Sequence, residues 1–465
     1  MTKLLRSNSQ PVASQTSTSM ATAMSKNSND TIRYILKGHN GPVTCMAYCS
    51  VTDQLISGSE DGTCRVFECS ALSRDADNEA ESVRILRARL CMVPPKVSVS
   101  SFSEGEEDVV NEVTEEVMCV DFHPQYDGNT CCLVYVAVGR RLLEYDLSVD
   151  NDRGAMLLRQ PTRDFTEILR NEDDINQISL QQTINGDLII ASCDDEGEVH
   201  VYKKGKLKVL HHGNTATGEE NSGFAIATSA AFHPIFSGPG KSKINLGKGN
   251  KKKGSSSTSM QDLLISGGTD CNVKLWDVTK NRASYSLLMK QMDSDENVNQ
   301  VCNPPMVHNI SWSRSGKLIA ASLGDGSIAI FKLSGRRLVQ IQRLHRNGHS
   351  VAVVCAYFPR YVVSAKDECA NDRLLISAGS DGQVLLWDLG VDCSPQSDDP
   401  SGILEFDNED ELSLPSGNPR VLQRIYHGQK PNWIISRSVC EANTLEIFVA
   451  DTSNDISVYV IPRIS

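Results

Sequence analysis

One hairpin pattern recurs along this chain and limits what it can fold into. Residues 374–389, LLISAGSDGQVLLWDL, read as strand, tight turn, strand: an apolar run, then Ser-Asp-Gly turn chemistry, then alternation ending on Trp387-Asp388. A near copy spans residues 263–278, LLISGGTDCNVKLWDV, and a third spans residues 55–68, LISGSEDGTCRVFE. A unit of this size cannot bury its apolar face alone, so its copies must pack on one another.

Aligning every unit on its terminal aromatic exposes the rest of the set. Ser377 lies four residues before Asp381, which lies six before Trp387. The same spacing gives Ser266, Asp270 and Trp276, then Ser57, Asp61 and Phe67, then Ser192, Glu196 and Tyr202. A weaker match is Ala321, Asp325 and Phe331, and two divergent units end at Tyr145 and Tyr459. That makes seven, and the expected fold is all-β, a seven-bladed β-propeller. Segments between units, such as those ending at Gly213, His349 and Gly428, alternate and close on Gly or His, so they read as outer strands. The last unit has only residues 462–465 after it, while a spare strand stands at residues 31–36, TIRYIL. Pairing the two would close the ring and remove two exposed sheet edges.

The aromatic positions lie 55 to 78 residues apart, against about 40–45 for a compact repeat of this kind. The surplus is expected in charged loop insertions, disordered at about 98–116 and 394–415 (acidic) and 237–259 (basic). Residues 1–30 hold no acidic residue before Asp30 and are rich in Ser, Thr and Asn, so they read as a disordered tail, with an organelle transit peptide as the alternative. The propeller then occupies residues 31–465. A net charge of −12 argues against a general nucleic-acid or acidic-membrane binder. Fifteen cysteines include no C-x-x-C pair, which argues for small core side chains and reduced thiols in the cytoplasm or nucleus. No apolar run approaches the roughly 20 residues that span a bilayer.

The repeats resemble the WD40 family over roughly residues 31–461. In that family each blade carries a buried chain of Trp, Ser or Thr, His and Asp, whose donors and acceptors satisfy one another. The resemblance assigns His349, Ser377, Asp381 and Trp387 to one complete set. His39, Ser57 and Asp61 form another that lacks its indole because Phe67 stands there. Ser266, Asp270 and Trp276 form a third, with His212 as the partner candidate across a long loop. A Ser, His and Asp together invite a hydrolase reading. Yet the chain has no G-x-S-x-G elbow, and the trio recurs in several blades, as a structural role predicts and a single active site does not. No catalytic residue, cofactor or metal is therefore assigned. His123-Pro124 and His233-Pro234 read as turn residues, and Lys248 and Lys251 to Lys253 as a solvated linker or a nuclear-import signal. Arg140-Arg141 and Arg336-Arg337 stand as Gly-Arg-Arg-Leu, the wrong order for the phosphoinositide-binding propellers, and read as exposed arginines.

The C-terminal stretch narrows the resemblance to one subgroup, with HG-x-K-x-NW at residues 427–433 and VAD-x-x-x-x-ISVY at residues 449–459. That subgroup is placed with substrate receptors of cullin-4 ubiquitin ligases, which dock on the adaptor damage-specific DNA-binding protein 1. Many such receptors use an Arg two residues after the Asp of a WD-like pair. This chain departs from that pattern: Thr279, Gly390 and Ser148 stand there. The expected function is a non-enzymatic scaffold that binds a protein segment on the narrow face, with Glu60, Thr269, Gly324, Ser380, Asn432 and Trp433 as contacts. The alternative is a nuclear scaffold in chromatin or ribosome assembly.

Overall fold

The computed structural model describes residues 32–73, 83–101, 109–147, 164–183, 185–212, 225–234, 262–280, 283–290, 303–334, 337–359, 372–390, 419–439 and 442–462. The tail 1–30, the insertions 237–259 and 394–415, Arg336 and the Lys248 to Lys253 tract lie outside them.

Seven sheets form the blades of a β-propeller. Blade 1 runs Val43–Cys49, Gln54–Ser59, Cys64–Glu68 and a short outer strand, Leu90–Met92. Blade 2 runs Val117–Phe122, Leu133–Val138, Arg141–Asp146 and Thr166–Arg170; blade 3 runs Ile175–Gln182, Leu188–Asp194, Glu198–Lys203 and Lys206–His211. Blades 4 and 5 begin at Ala227–Phe232 and Val307–Trp312 and end at Ala283–Leu288 and Arg337–Leu344. Blade 6 holds Val353–Tyr357, Leu374–Gly379, Gln383–Asp388 and Arg420–Tyr426; blade 7 holds Pro431–Val439, Thr444–Asp451 and Ile456–Pro462. All seven terminal aromatics fall on third strands.

The fourth strand of blade 7 comes from the other end of the described chain. Ile32–Lys37 pairs antiparallel with Ile456–Pro462, with Ile35 opposite Ser457 and Leu36 opposite Ile456. Arg84–Arg87 then adds a fifth strand, parallel to Ile32–Lys37. Ring closure is therefore non-covalent, and it buries Leu36 with Phe67, Phe448 and Val458 in one apolar cluster across blades 7 and 1.

Second strands such as Leu374–Gly379 and Leu263–Gly268 are buried throughout because neighbouring blades cover both faces. The cysteines behave as core. Cys45 and Cys355 are buried, and burial pushes both thiols up to about 12. One expectation is corrected. The acidic stretch 98–116 is not loop throughout: Val97–Ser101 and Val109–Val113 pair as a hairpin, both arms being rich in β-branched Val.

Candidate functional site

Each blade repeats the same four-strand path, so the turns between second and third strands lie at the same end as the segments entering the inner strands. This end carries the polar chains. In blade 6, Ser377 Oγ accepts from Trp387 Nε1 at 2.8 Å and meets His349 Nε2 at 2.8 Å, while His349 Nδ1 meets Asp381 at 3.0 Å. Asp381 also accepts from the Ser350 and Gln383 amides, which ties both loops together. Blade 4 matches it. His212 Nδ1 lies 2.8 Å from Ser266 Oγ, Trp276 Nε1 donates to the same oxygen at 2.7 Å, and His212 Nε2 lies 3.1 Å from Asp270. In blade 1, His39 meets Ser57 at 2.8 Å and Asp61 at 3.2 Å, and Phe67 supplies no donor. Burial pushes the Asp61, Asp270 and Asp381 carboxyls up. The His and hydroxyl, amide or backbone donors around each outweigh it and hold all three below the usual range.

Two divergent blades solve the same problem with the acid displaced by two residues. In blade 3 the carboxylate is Asp194, not Glu196, which is exposed. Asn171 stands where blades 1, 6 and 7 have His39, His349 and His427, four residues before the inner strand. Its Nδ2 donates to Asp194 at 2.9 Å and its Oδ1 accepts from Ser192 at 3.0 Å. In blade 7, His427 Nε2 lies 2.5 Å from Asp451 and Nδ1 lies 2.8 Å from Tyr459 Oη. Both acids sit eight residues before the aromatic, where blades 4 and 6 have Gly268 and Gly379. Blade 5 has neither Ser nor Trp, and Asp325 pairs instead with Arg343 at 2.6 Å. Blade 2 is the least complete: Tyr145 Oη is buried with no hydrogen-bond partner among the described residues. The four-residue offset from the inner strand, read alone, would have located Asn171 and His427.

Four inner strands use their second residue to stitch the ring at this end. Thr44 donates to Val117 O, Asn176 to Ala227 O at 3.1 Å, Thr228 to Val307 O at 2.5 Å, and Asn432 to Val43 O at 3.1 Å. Each bond runs to the first inner-strand residue of the next blade, stitching the two together. Asn432, expected as a partner contact, therefore serves the closing seam. Trp433 packs against the apolar cluster of that same seam. Gly324 is buried, and a Cβ there would meet Pro304 O at 2.7 Å, so it offers a partner no side-chain surface. Thr269 and Ser380 are partly exposed but brace the loops, with Thr269 Oγ1 accepting from Ile226 N and Ser380 N donating to Ala352 O. Glu60 is exposed.

The "WD domain, G-beta repeat" family profile matches residues 30–68 and 254–277. The fold is a seven-bladed β-propeller, and the matched segments are WD40 repeats. Among curated proteins it is 22% identical over 436 residues to a WD repeat-containing protein 53 homolog of Dictyostelium discoideum, covering 90% of this chain and 92% of that one. It is 29% identical over 92 residues to WD repeat-containing protein VIP3 of Arabidopsis thaliana, covering 20% and 27%. It is 26% identical over 157 residues to WD repeat-containing protein 37 of Xenopus laevis, covering 34% and 28%. The last two likenesses are therefore repeat-level, and the first spans the whole propeller. WD40 propellers generally act as non-catalytic scaffolds that bind proteins. Within this ring the recurring Ser, His and Asp sets are already committed to one another. No helix among the described residues is long and apolar enough to cross a membrane.

The opposite end of the propeller holds a feature that pattern reading missed. Asp388, after Trp387, is gripped by Arg373 Nε at 2.5 Å and Nη2 at 2.9 Å, with Arg420 Nε at 3.4 Å. The Arg373 and Arg420 side chains are 47% and 69% exposed.

Proposed function

We propose that this propeller is a non-catalytic scaffold that holds a protein segment across its channel mouth, at the end carrying the His and Asp chains. The division of charge around that mouth carries the reading. Exposed Glu60, Glu116 and Asp174 stand on blades 1 to 3, facing Lys430 and His308 on blades 7 and 5. His308 is open to solvent, yet the protein packed around it, and then the Lys430 charge, hold its imidazole below its ordinary value, so near neutral pH it offers hydrogen bonds rather than charge. His308 occupies the position used for stitching at four other seams, yet lies exposed. A segment with basic side chains at one end fits this arrangement. Affinity capture from cells with quantitative mass spectrometry tests it. Glu60→Lys and Lys430→Glu should each lower recovery of the captured partners by about tenfold; unchanged partners at unchanged abundance would refute the reading.

A second reading is favoured by the opposite end. The substrate-receptor role in a cullin-4 ubiquitin ligase is supported by Arg373 and Arg420, which bring guanidinium groups to Asp388 from flanking strands rather than from two residues downstream. Purified chain and purified damage-specific DNA-binding protein 1 should then co-elute at micromolar concentration, and Arg373→Glu with Arg420→Glu should abolish the complex. No co-elution by the natural sequence sinks this reading. A nuclear scaffold without adaptor binding, recruited through residues 237–259, is then what remains.

A further inference from the structure

Blade 3 gathers side chains that its siblings lack. Glu198 and His200 are two apart on one strand and so point to one face, and His211 stands directly opposite Glu198 on the outer strand. Asp194 reaches the same spot across the turn that precedes Glu198. His200 Nε2 lies 2.9 Å from Glu198 Oε2 and 3.5 Å from Asp194 Oδ2, and His211 Nδ1 lies 3.0 Å from Glu198 Oε1. One ligand atom from each of Asp194, Glu198 and His200 falls within 4.8 Å of the others. At the position of Glu198, four sibling blades carry the uncharged Thr63, Asn272, Ser327 and Gln383, and the other two carry Arg141 and Asp455.

Charge balance sets this cluster apart from the buried acids that arginine neutralises. Asp325, Asp388 and Glu446 each have an arginine partner. Neither Asp194 nor Glu198 has a Lys or Arg partner among the described residues, and Asp194 is fully buried. His200 is 3% exposed, with its Nε2 aimed into the cluster and its Nδ1 without a hydrogen-bond partner among the described residues. One imidazole and two carboxylates, with a fourth position left for water, suit a borderline divalent ion. Metal–ligand bonds of 2.0–2.1 Å at tetrahedral angles place ligand atoms about 3.3 Å apart, close to the spacings found.

We propose that Asp194, Glu198 and His200 bind one divalent cation of the zinc class, with His211 orienting Glu198 from the outer strand, which locks the third and outer strands of blade 3 to the turn before them. His211, with its side chain 54% exposed, leaves the site open to solvent for entry of the ion.

Cobalt is the probe, titrated into the full, reduced chain after chelator treatment. One equivalent should bind, with weak visible absorption and no intense near-ultraviolet thiolate band, since no ligand is a cysteine. His211→Ala changes an exposed side chain; it should weaken cobalt binding at least about tenfold and leave the metal-free melting temperature unaltered. Glu198→Gln with His211→Ala should abolish saturable binding. A thiolate band, affinity unchanged in both variants, or no saturable binding by the natural sequence overturns the proposal.

Discussion

A chain lacking residues 1–37 should fail to give a soluble, cooperatively melting propeller. Removing Ile32–Lys37 strips the hydrogen-bonding partner from Ile456–Pro462 and from Arg84–Arg87 at once, which leaves two strand edges bare. It also opens the cluster in which Leu36 is 1% exposed, and it removes the Tyr34 hydroxyl that donates to Leu72 O at 2.8 Å. Single-residue truncation gives the graded version: Leu36→Ala should cost about 2–5 kcal/mol in urea unfolding. Among the described residues no other strand pairing of comparable extent closes the ring, so a truncated chain that melts at the temperature of the full one would show that closure does not depend on this strand.

Arg437→Met should cost about 3–5 kcal/mol, because it abandons a buried acid. Arg437, 7% exposed, donates to Glu446 at 2.8 Å within blade 7 and to Asp53 at 2.6 Å in blade 1. Asp53 also accepts from Tyr48 Oη at 2.7 Å. Glu446 is 4% exposed, so without the guanidinium its carboxylate stays out of water and uncompensated. Replacing both partners, Arg437→Met with Glu446→Leu, should recover most of the loss, since an apolar pair of similar volume needs no counter-charge. Chemical denaturation of the three variants decides it. Equal destabilisation in the single and double variants would mean that packing of the Arg437 stem, not its charge, holds the seam.

The fold was largely legible because its signal is local. Turn residues and the aromatic six positions after the turn Asp lie within one hairpin, so Trp276, Phe331 and Trp387 could be aligned on spacing, whereas the divergent Tyr145 and Tyr459, with no turn Asp, were placed by their hairpin pattern. Ring closure was legible for a related reason: a strand without a partner at one end matched a blade without an outer strand at the other. What escaped was anything decided across loops. Asp194 and Asp451 take over from the usual acid position because their partners, Asn171 and His427, approach from the preceding blade's outer strand. Asn432 looked free because its acceptor, Val43 O, is almost the whole chain away. Gly324 looked exposed because burial under Pro304 depends on a neighbouring loop. The arginines on Asp388 were missed because the search was confined to positions downstream of it.

Hydrogen exchange on the full chain, with and without a captured partner, tests the scaffold reading most directly. Binding across the mouth predicts new protection at the turns carrying Glu60 and Ser380 and at the entries holding Asp174, His308 and Lys430. Protection confined to the opposite end, around Arg373 and Arg420, would contradict it.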